Sequence, residues 1–383
     1  MPQVVRKLSA HFILTPQGWL RGGILSFDDS GRLLDISVSD AVDREANVEF
    51  FDGVLIPGMV NAHCHLELSY LRGKIGRSCG FAGFADAISR VRHEASEADR
   101  VAAAGYWHSR MEYDGVVAVG DICNGNSTFG IKSNSRIHYY NFIEGFGLNT
   151  KDFRFLDRVK SEAKAAGLTV SITPHSTYSL QDASFRELAV AGERLSIHFM
   201  ESRAEAELFH GRGTLHERNV RLGVDVDFVK YGSPTGRILA SVPQDKELML
   251  VHNTFVTEQE ISAIQERFGE RVTWVVCPRS NDYIEGAFPP IDLLRRCGVR
   301  IAVGTDSLSS NERLSLIDEL KCFPSVPLEE RLRWVTTGGA RALGLQDRIG
   351  SFEVGKMPAV VLLSGIAWGD MDLLPEASTQ RIL

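Results

Sequence analysis

Short apolar, β-rich runs recur along the chain, each closing on polar or turn residues and most followed by a stretch of helical periodicity. They fall at 54–65, 116–123, 136–144, 168–176, 195–201, 248–254, 272–281 and 299–307. Between them, 153–166, 183–191, 258–268 and 290–297 carry apolar residues near the 3.6-residue spacing of an amphipathic helix. Eight strand–helix units in one chain predict an α/β fold, a (β/α)8 TIM barrel. The two ends read differently. Segments 4–14, 22–26, 33–37 and 359–363 are short strand candidates set off by Gly and Asp turns. They predict a small β-sandwich domain built from both termini, which divides the chain at 1–56, 57–344 (the barrel) and 345–383.

Composition narrows the partners rather than the fold. The formal charge of −7 disfavours phosphate backbones and anionic lipid, so neither nucleic acid nor a membrane is expected as a partner. Six cysteines lie far apart without a C-x-x-C pair, which excludes a disulfide framework and points to a reducing compartment. Residues 1–20 do not read as a signal peptide, and no apolar run approaches the ~18 residues of a membrane span. A cytoplasmic protein acting on a small molecule is the expectation, with a homodimer as the default assembly.

Chemically capable residues collect at the C-terminal ends of the predicted strands, the face on which barrel active sites lie. The first strand ends His63-Cys64-His65, and the period of two points both imidazoles one way and Cys64 the other. The fifth ends His198-Phe199-Met200-Glu201, the sixth His252-Asn253, and the eighth Gly304-Thr305-Asp306. Taken singly, each has an ordinary explanation: a surface pair, a hydrogen-bonded core histidine, a helix cap, an ion pair of Glu201 with Arg203. All of these would have to hold together, on four strands and at one end. Three imidazoles and a carboxylate, His63, His65, His198 and Asp306, instead suit one divalent metal ion, Zn2+ in the first place and Fe2+ in the second. Such an ion brings the pKa of a water towards neutrality. Glu201, outside the ligand set, is placed to carry a proton, and His252 to touch the water or the leaving group.

At this point the chain resembles the amidohydrolase superfamily over nearly its whole length. The resemblance rests on Pro57-Gly58-x-Val60-Asn61-Ala62-His63-x-His65, His198-x-x-Glu201, His252-Asn253, Pro278-x-Ser280-Asn281 and Gly304-Thr305-Asp306-Ser307-x-x-Ser310-Asn311. It closes on Thr337-Gly338-Gly339-Ala340-Arg341-Ala342-Leu343-Gly344 and Gly350-Ser351-x-x-x-Gly355-Lys356. The order of motifs is similar to the metal-dependent deaminase and chlorohydrolase branch. That resemblance implies a single metal held by His63, His65, His198 and Asp306, with Glu201 as proton shuttle and His252 and Asp306 as partners of the attacking water. Binuclear relatives carry a carboxylated lysine at the end of strand four; here that strand ends Thr173-Pro174-His175, and the nearest lysine, Lys164, belongs to the preceding helix. One departure is Gly355-Lys356-Met357-Pro358-Ala359, which lacks the family's usual Asp.

Pro174-His175-Ser176-x-Tyr178-Ser179 resembles the adenosine-derivative deaminases, and Leu66-Glu67-Leu68-Ser69 with Cys277-Pro278-Arg279 resembles the aminodeoxyfutalosine deaminases of menaquinone biosynthesis. The resemblance implies deamination of a 6-aminopurine nucleoside derivative, with 6-aminodeoxyfutalosine as candidate substrate. Guanine, cytosine, chloro-triazine and imidazolone rings are the alternatives, and a non-catalytic barrel binder is the remaining one. His175 is the candidate base contact, Glu67 the ribose or ammonium contact, Arg279 the partner of a substrate carboxylate, and Glu144 a further contact.

Overall fold

The computed structural model describes residues 3–39, 46–150 and 152–383. Two compact units divide the chain: 1–62 with 109–119 and 315–383, and 63–108 with 120–314.

In the first unit, strands from both ends of the chain share one sheet. Its members are β1 (Arg6–Thr15), β2 (Gly18–Leu20), β3 (Gly23–Phe27), β4 (Leu33–Val38) and β5 (Val48–Ile56) from the N-terminal part. The barrel strands are β6 (Met59–Cys64), β7 (Val116–Cys123), β8 (His138–Gly145), β9 (Thr169–Pro174), β10 (Arg194–Phe199), β11 (Glu247–His252), β12 (Val272–Val276) and β13 (Ile301–Val303). The C-terminal pair is β14 (Val361–Ala367) and β15 (Asp372–Arg381). The terminal sheet runs β15-β14-β5-β1-β3-β4, with β2 on β1. A core of Leu8, Ile13, Leu25, Phe27 and Phe352 underlies it. Apolar residues 54–56, predicted to lead into the first barrel strand, belong instead to β5, which lies between β1 and β14. Pro57 and Gly58 end β5, and β6 starts afresh at Met59.

The barrel strands form two four-stranded arcs, β6-β7-β8-β9 and β10-β11-β12-β13. Pairing is parallel wherever its register is recorded, in β8–β9, β10–β11, β11–β12 and β12–β13. Parallel bridges Ser176↔His198 and Cys64↔Asp306 join the arcs at both seams. At the second seam a Cβ on Gly304 would lie 2.6 Å from the His63 carbonyl oxygen, so only glycine admits this approach. That oxygen then accepts from the N–H groups of Thr305 (3.0 Å) and Asp306 (3.1 Å).

Strand ends also decide what faces the rim. The predicted run 272–281 stops at Val276, because Pro278 opens the helix Pro278–Glu285 at its first turn. A proline there loses no needed N–H and supplies helical φ. The consequence is that Ser280 and Asn281 project from a helical turn rather than a strand. Helix Glu258–Phe268 matches its predicted span, closed at its start by a Thr257–Glu260 capping box.

Candidate active site

Four strand ends bring their polar groups to one place. One ligand-type atom from each of His63, His198, His252 and Asp306, all buried, lies within 4.8 Å of the others. His65 joins them: its Nε2 is 3.2 Å from His63 Nε2 and 3.3 Å from Asp306 Oδ1. Asp306 is aimed by two hydroxyls, since Ser280 Oγ (2.6 Å) and Ser310 Oγ (2.8 Å) both donate to Oδ2 and leave Oδ1 to the imidazoles. His198 Nδ1–H donates to the His175 carbonyl at 2.8 Å, which turns the Nε2 lone pair inwards. Asn281 Nδ2 donates to His252 Nδ1 at 3.1 Å, so that ring carries its proton on Nε2, where no group among the described residues accepts it. Burial lowers His65 and His252 to about 3 against the opposing charge of Asp306, and lowers His198 well below its usual value, with the neighbouring imidazoles acting in the same direction. Neutral imidazoles beside a carboxylate are metal donors, so the group fits a late first-row divalent ion. Backbone strain accompanies the convergence: Met200 (φ 50°), His252 (φ 83°), Asn253 (φ 57°) and Asp306 (φ 54°) are all left-handed without being glycine.

Glu201 stands beside this cluster and outside it. Tyr178 Oη donates to its Oε2 at 3.1 Å, and His252 Nε2 lies 3.7 Å from its Oε1. Burial first, then the charges of Asp306 and Glu205, push its carboxyl well above the ordinary range. Glu205 in turn accepts from the Glu201 backbone N–H at 3.0 Å and from the Thr177 hydroxyl. A cavity of about 340 Å³ opens here, with His65, His198, Glu201 and Asp306 in its wall. His175, Glu144 and Asn124 line it too, as do apolar side chains of helix Gly80–Val91. Asn124 organises the acids: its side chain donates to Glu144 Oε1 (2.7 Å) and its backbone N–H to both Glu67 oxygens (3.1 Å each). Burial raises Glu67 and Glu144 to about 7. Glu144 Oε2 is buried without a partner and, with His175 and His198, forms a second close group. Nearby, fully buried Lys132 pairs with Asp121 Oδ2 at 2.5 Å while Asp121 Oδ1 accepts from Leu66 N–H.

The model of the Amidohydrolase family matches residues 54–379. The chain belongs to the amidohydrolase family. As an amidohydrolase it is a hydrolase acting on carbon–nitrogen bonds. It is 28% identical over 381 residues to an aminodeoxyfutalosine deaminase of Nitratiruptor sp., covering 92% of this chain and 89% of that protein. It is 25% identical over 359 residues to a 5-methylthioadenosine/S-adenosylhomocysteine deaminase of Halobacterium salinarum, covering 87% and 78%. Helicobacter pylori aminofutalosine deaminase, solved with methylthio-coformycin, superposes with TM-score 0.77 at 22% identity over 94% of this chain and 92% of that one. An adenosine deaminase of Xanthomonas campestris with bound zinc gives 0.78, also at 22% identity, over 97% and 88%. These two structural likenesses show the fold.

Within this amidohydrolase, His63, His65, His198 and Asp306, expected as metal ligands, lie together at the cluster, and His252, expected as a partner of the water or leaving group, is as close as they are. The alternatives weighed for Glu201 do not occur: Arg203 lies over the Phe255 ring, and Ser202 caps the following helix. Arg279, expected to meet a substrate carboxylate, is held by Asn311 Oδ1 (3.1 Å) and Glu312 (3.6 Å) and is not in the cavity wall. Its place at the second position of a helix, not on a strand, turns it aside. Glu67 also lies outside the wall, behind Asn124, and pairs with neither Arg72 nor Lys74. Tyr178, Ser280, Asn281 and Ser310 all stand in the recognised motifs, but their roles depend on contacts that spacing does not encode. Asn124 stood in no motif and was not anticipated.

Proposed function

We propose that this amidohydrolase is a metal-dependent deaminase of 6-aminopurine nucleoside derivatives, with water added at C6 and ammonia lost. The observation that carries the reading is Glu201: a buried carboxyl held by Tyr178 and 3.7 Å from His252 at the edge of the metal-type cluster. The names borne by the relatives, deaminases of adenosine derivatives, support the same reaction class.

His63, His65, His198 and Asp306 are the proposed ligands, and zinc the proposed ion. When bound, the ion supplies a Lewis acid and a water acidic enough to attack at neutral pH. The chain's own groups do the rest. Glu201 donates its proton to ring N1, drawing electrons away from C6. Its carboxylate then takes a proton from the water and passes it to the departing amine. His252 Nε2–H steadies the oxygen that gains charge on C6, and Asp306 Oδ1 accepts the remaining water proton, which returns to Glu201 as ammonia leaves and restores the acid. Glu144 Oε2 and His175, bonded at Nδ1 to Ser179 Oγ (3.1 Å) and so open at Nε2, face the cavity as base or ribose contacts.

The test is loss of the adenine chromophore, with ammonia measured in parallel. Zinc-loaded enzyme is offered adenosine, methylthioadenosine, S-adenosylhomocysteine and 6-aminodeoxyfutalosine. Deamination of at least one is expected. Turnover of guanine, cytosine or a chloro-triazine with none of these four would overturn the purine assignment.

A further inference from the structure

Ser202-Arg203-Ala204-Glu205 has the spacing of a capping box, as does Thr257-Glu258-Gln259-Glu260. In the second segment the motif closes on itself, Glu260 Oε2 accepting from the Thr257 N–H at 2.8 Å. In the first, Ser202 Oγ accepts from the Glu205 N–H at 3.3 Å, and the Glu205 carboxylate is spent elsewhere. Its Oε2 accepts from the Glu201 N–H at 3.0 Å, and its Oε1 from the Thr177 hydroxyl. Thr177 adjoins Tyr178, whose Oη donates to Glu201 Oε2 at 3.1 Å. One carboxylate thus ties the backbone beneath Glu201 to the backbone beneath its partner. The turn it holds is strained: Met200, next to Glu201, is left-handed (φ 50°) without being glycine, which the surrounding structure must impose. Thr177 is fixed from its other side, where its carbonyl accepts from fully buried Arg237 at 2.7 Å.

Helix capping does not call for a buried acid beside another acid, and the Thr257–Glu260 box is built at the surface. Glu205 has no exposed surface. Burial raises its carboxyl to about 7, against the hydrogen bonds of Thr177 and of the Glu201 and Met200 N–H groups, which favour the charged form. We propose that Glu205 is a positioning residue for Glu201: its carboxylate locks the Met200–Glu201 turn against the Thr177–Tyr178 segment and so aims the Glu201 carboxyl into the cavity. It acts through Glu201 and is not itself in the cavity wall. This role rests on the reading of Glu201 as proton shuttle.

The variants are Glu205→Ala, Glu205→Gln and Thr177→Val, each alone and combined with Glu201→Gln, all zinc-loaded and given the nucleoside that wild type deaminates. Glu205→Ala is expected to keep its zinc by elemental analysis. Its kcat should fall about 10–100-fold with KM changed less than about threefold, the mark of a misplaced catalytic group. Glu205→Gln should recover most of that loss, since its amide accepts from the Glu201 N–H and donates to Thr177 Oγ. Thr177→Val, which removes only the hydroxyl tie, should cost about three- to tenfold in kcat and carries the test if Glu205→Ala does not fold. In the Glu201→Gln background each should cost less than about twofold, because groups that act as a unit are not additive. Equal losses in both backgrounds, or wild-type kcat in Glu205→Ala, would overturn the proposal. Crystal structures of wild type, Glu205→Ala and Thr177→Val give a readout that needs no turnover. The Tyr178–Glu201 contact should open in the variants, and an unmoved Glu201 carboxyl would overturn the proposal as well. If Glu201→Gln itself turns over like wild type, the shuttle reading falls, while those structures still judge the tie.

Discussion

Replacing Lys132 by Met tests the buried framework behind the metal-type cluster. Lys132 and Asp121 have fully buried side chains, 2.5 Å apart. The ammonium also donates to Asn141 Oδ1 (2.8 Å) and Cys123 Sγ (3.1 Å), so its three donors are all used. Burial is the largest single influence and lowers its pKa, but the charge of Asp121, Cys123 and the hydrogen bonds to both together raise it. Without the lysine, Asp121 keeps a charge in the interior, and such uncompensated burial costs about 3–5 kcal/mol. With a urea m-value on the order of 3 kcal/mol/M for a chain of this size, the unfolding midpoint should fall by about 1–1.7 M. Removing both charges in Asp121→Asn/Lys132→Met should recover at least about 2 kcal/mol of that loss, because the amide oxygen still accepts from Leu66 N–H. Leu66 follows His65, so the single variant should also bind zinc more weakly. A midpoint drop under about 0.3 M with unchanged m, or a double variant no more stable than the single, would refute the reasoning.

Further outcomes follow from the site. Glu201→Gln should retain its metal by elemental analysis while kcat falls about 10²–10⁴-fold, the range of a lost general acid–base group; unchanged turnover would sink the proton-shuttle role. Ser280→Ala removes one of the two donors that aim Asp306 and should weaken zinc binding about 10–100-fold in a chelator competition. Exhaustive chelation should abolish deamination, and added zinc should restore it. Glu205 is fully buried and raised by that burial from 4.5 to about 7. Between those values the folded chain keeps a proton that the unfolded chain has released. Stability present at low pH is therefore lost as pH rises through about 7, by ~3 kcal/mol in all. Comparing wild type with Glu205→Gln by urea denaturation from pH 5 to pH 8 should show that difference, and parallel curves would contradict it.

The rhythm of strand and helix, and the placement of His63, His65, His198, His252 and Asp306 at strand ends, were legible in the residue order. Both follow from local rules: apolar periodicity, alternation along a strand, and the common face of parallel strand ends. Short-range signals also located helix Glu258–Phe268, whose caps are neighbours in sequence. Boundaries were harder where one apolar run served two elements, as at 54–64, where β5 joins the terminal sheet and β6 the barrel. Pairing with β1 and β14 decides that, and pairing is a long-range event.

Fold class, and the meeting of His63, His65, His198, Glu201 and Asp306 at one end of the strands, were thus matters of sequence, since the chain carries them in local patterns and family motifs. Tertiary structure alone decided the rest: which hydroxyls aim Asp306, which nitrogen of His252 holds its proton, and that Arg279 is taken up by Asn311. Each of these depends on hydrogen bonds between residues brought together from distant parts of the chain. A side chain's direction is set by what packs against it, and sequence spacing does not record that.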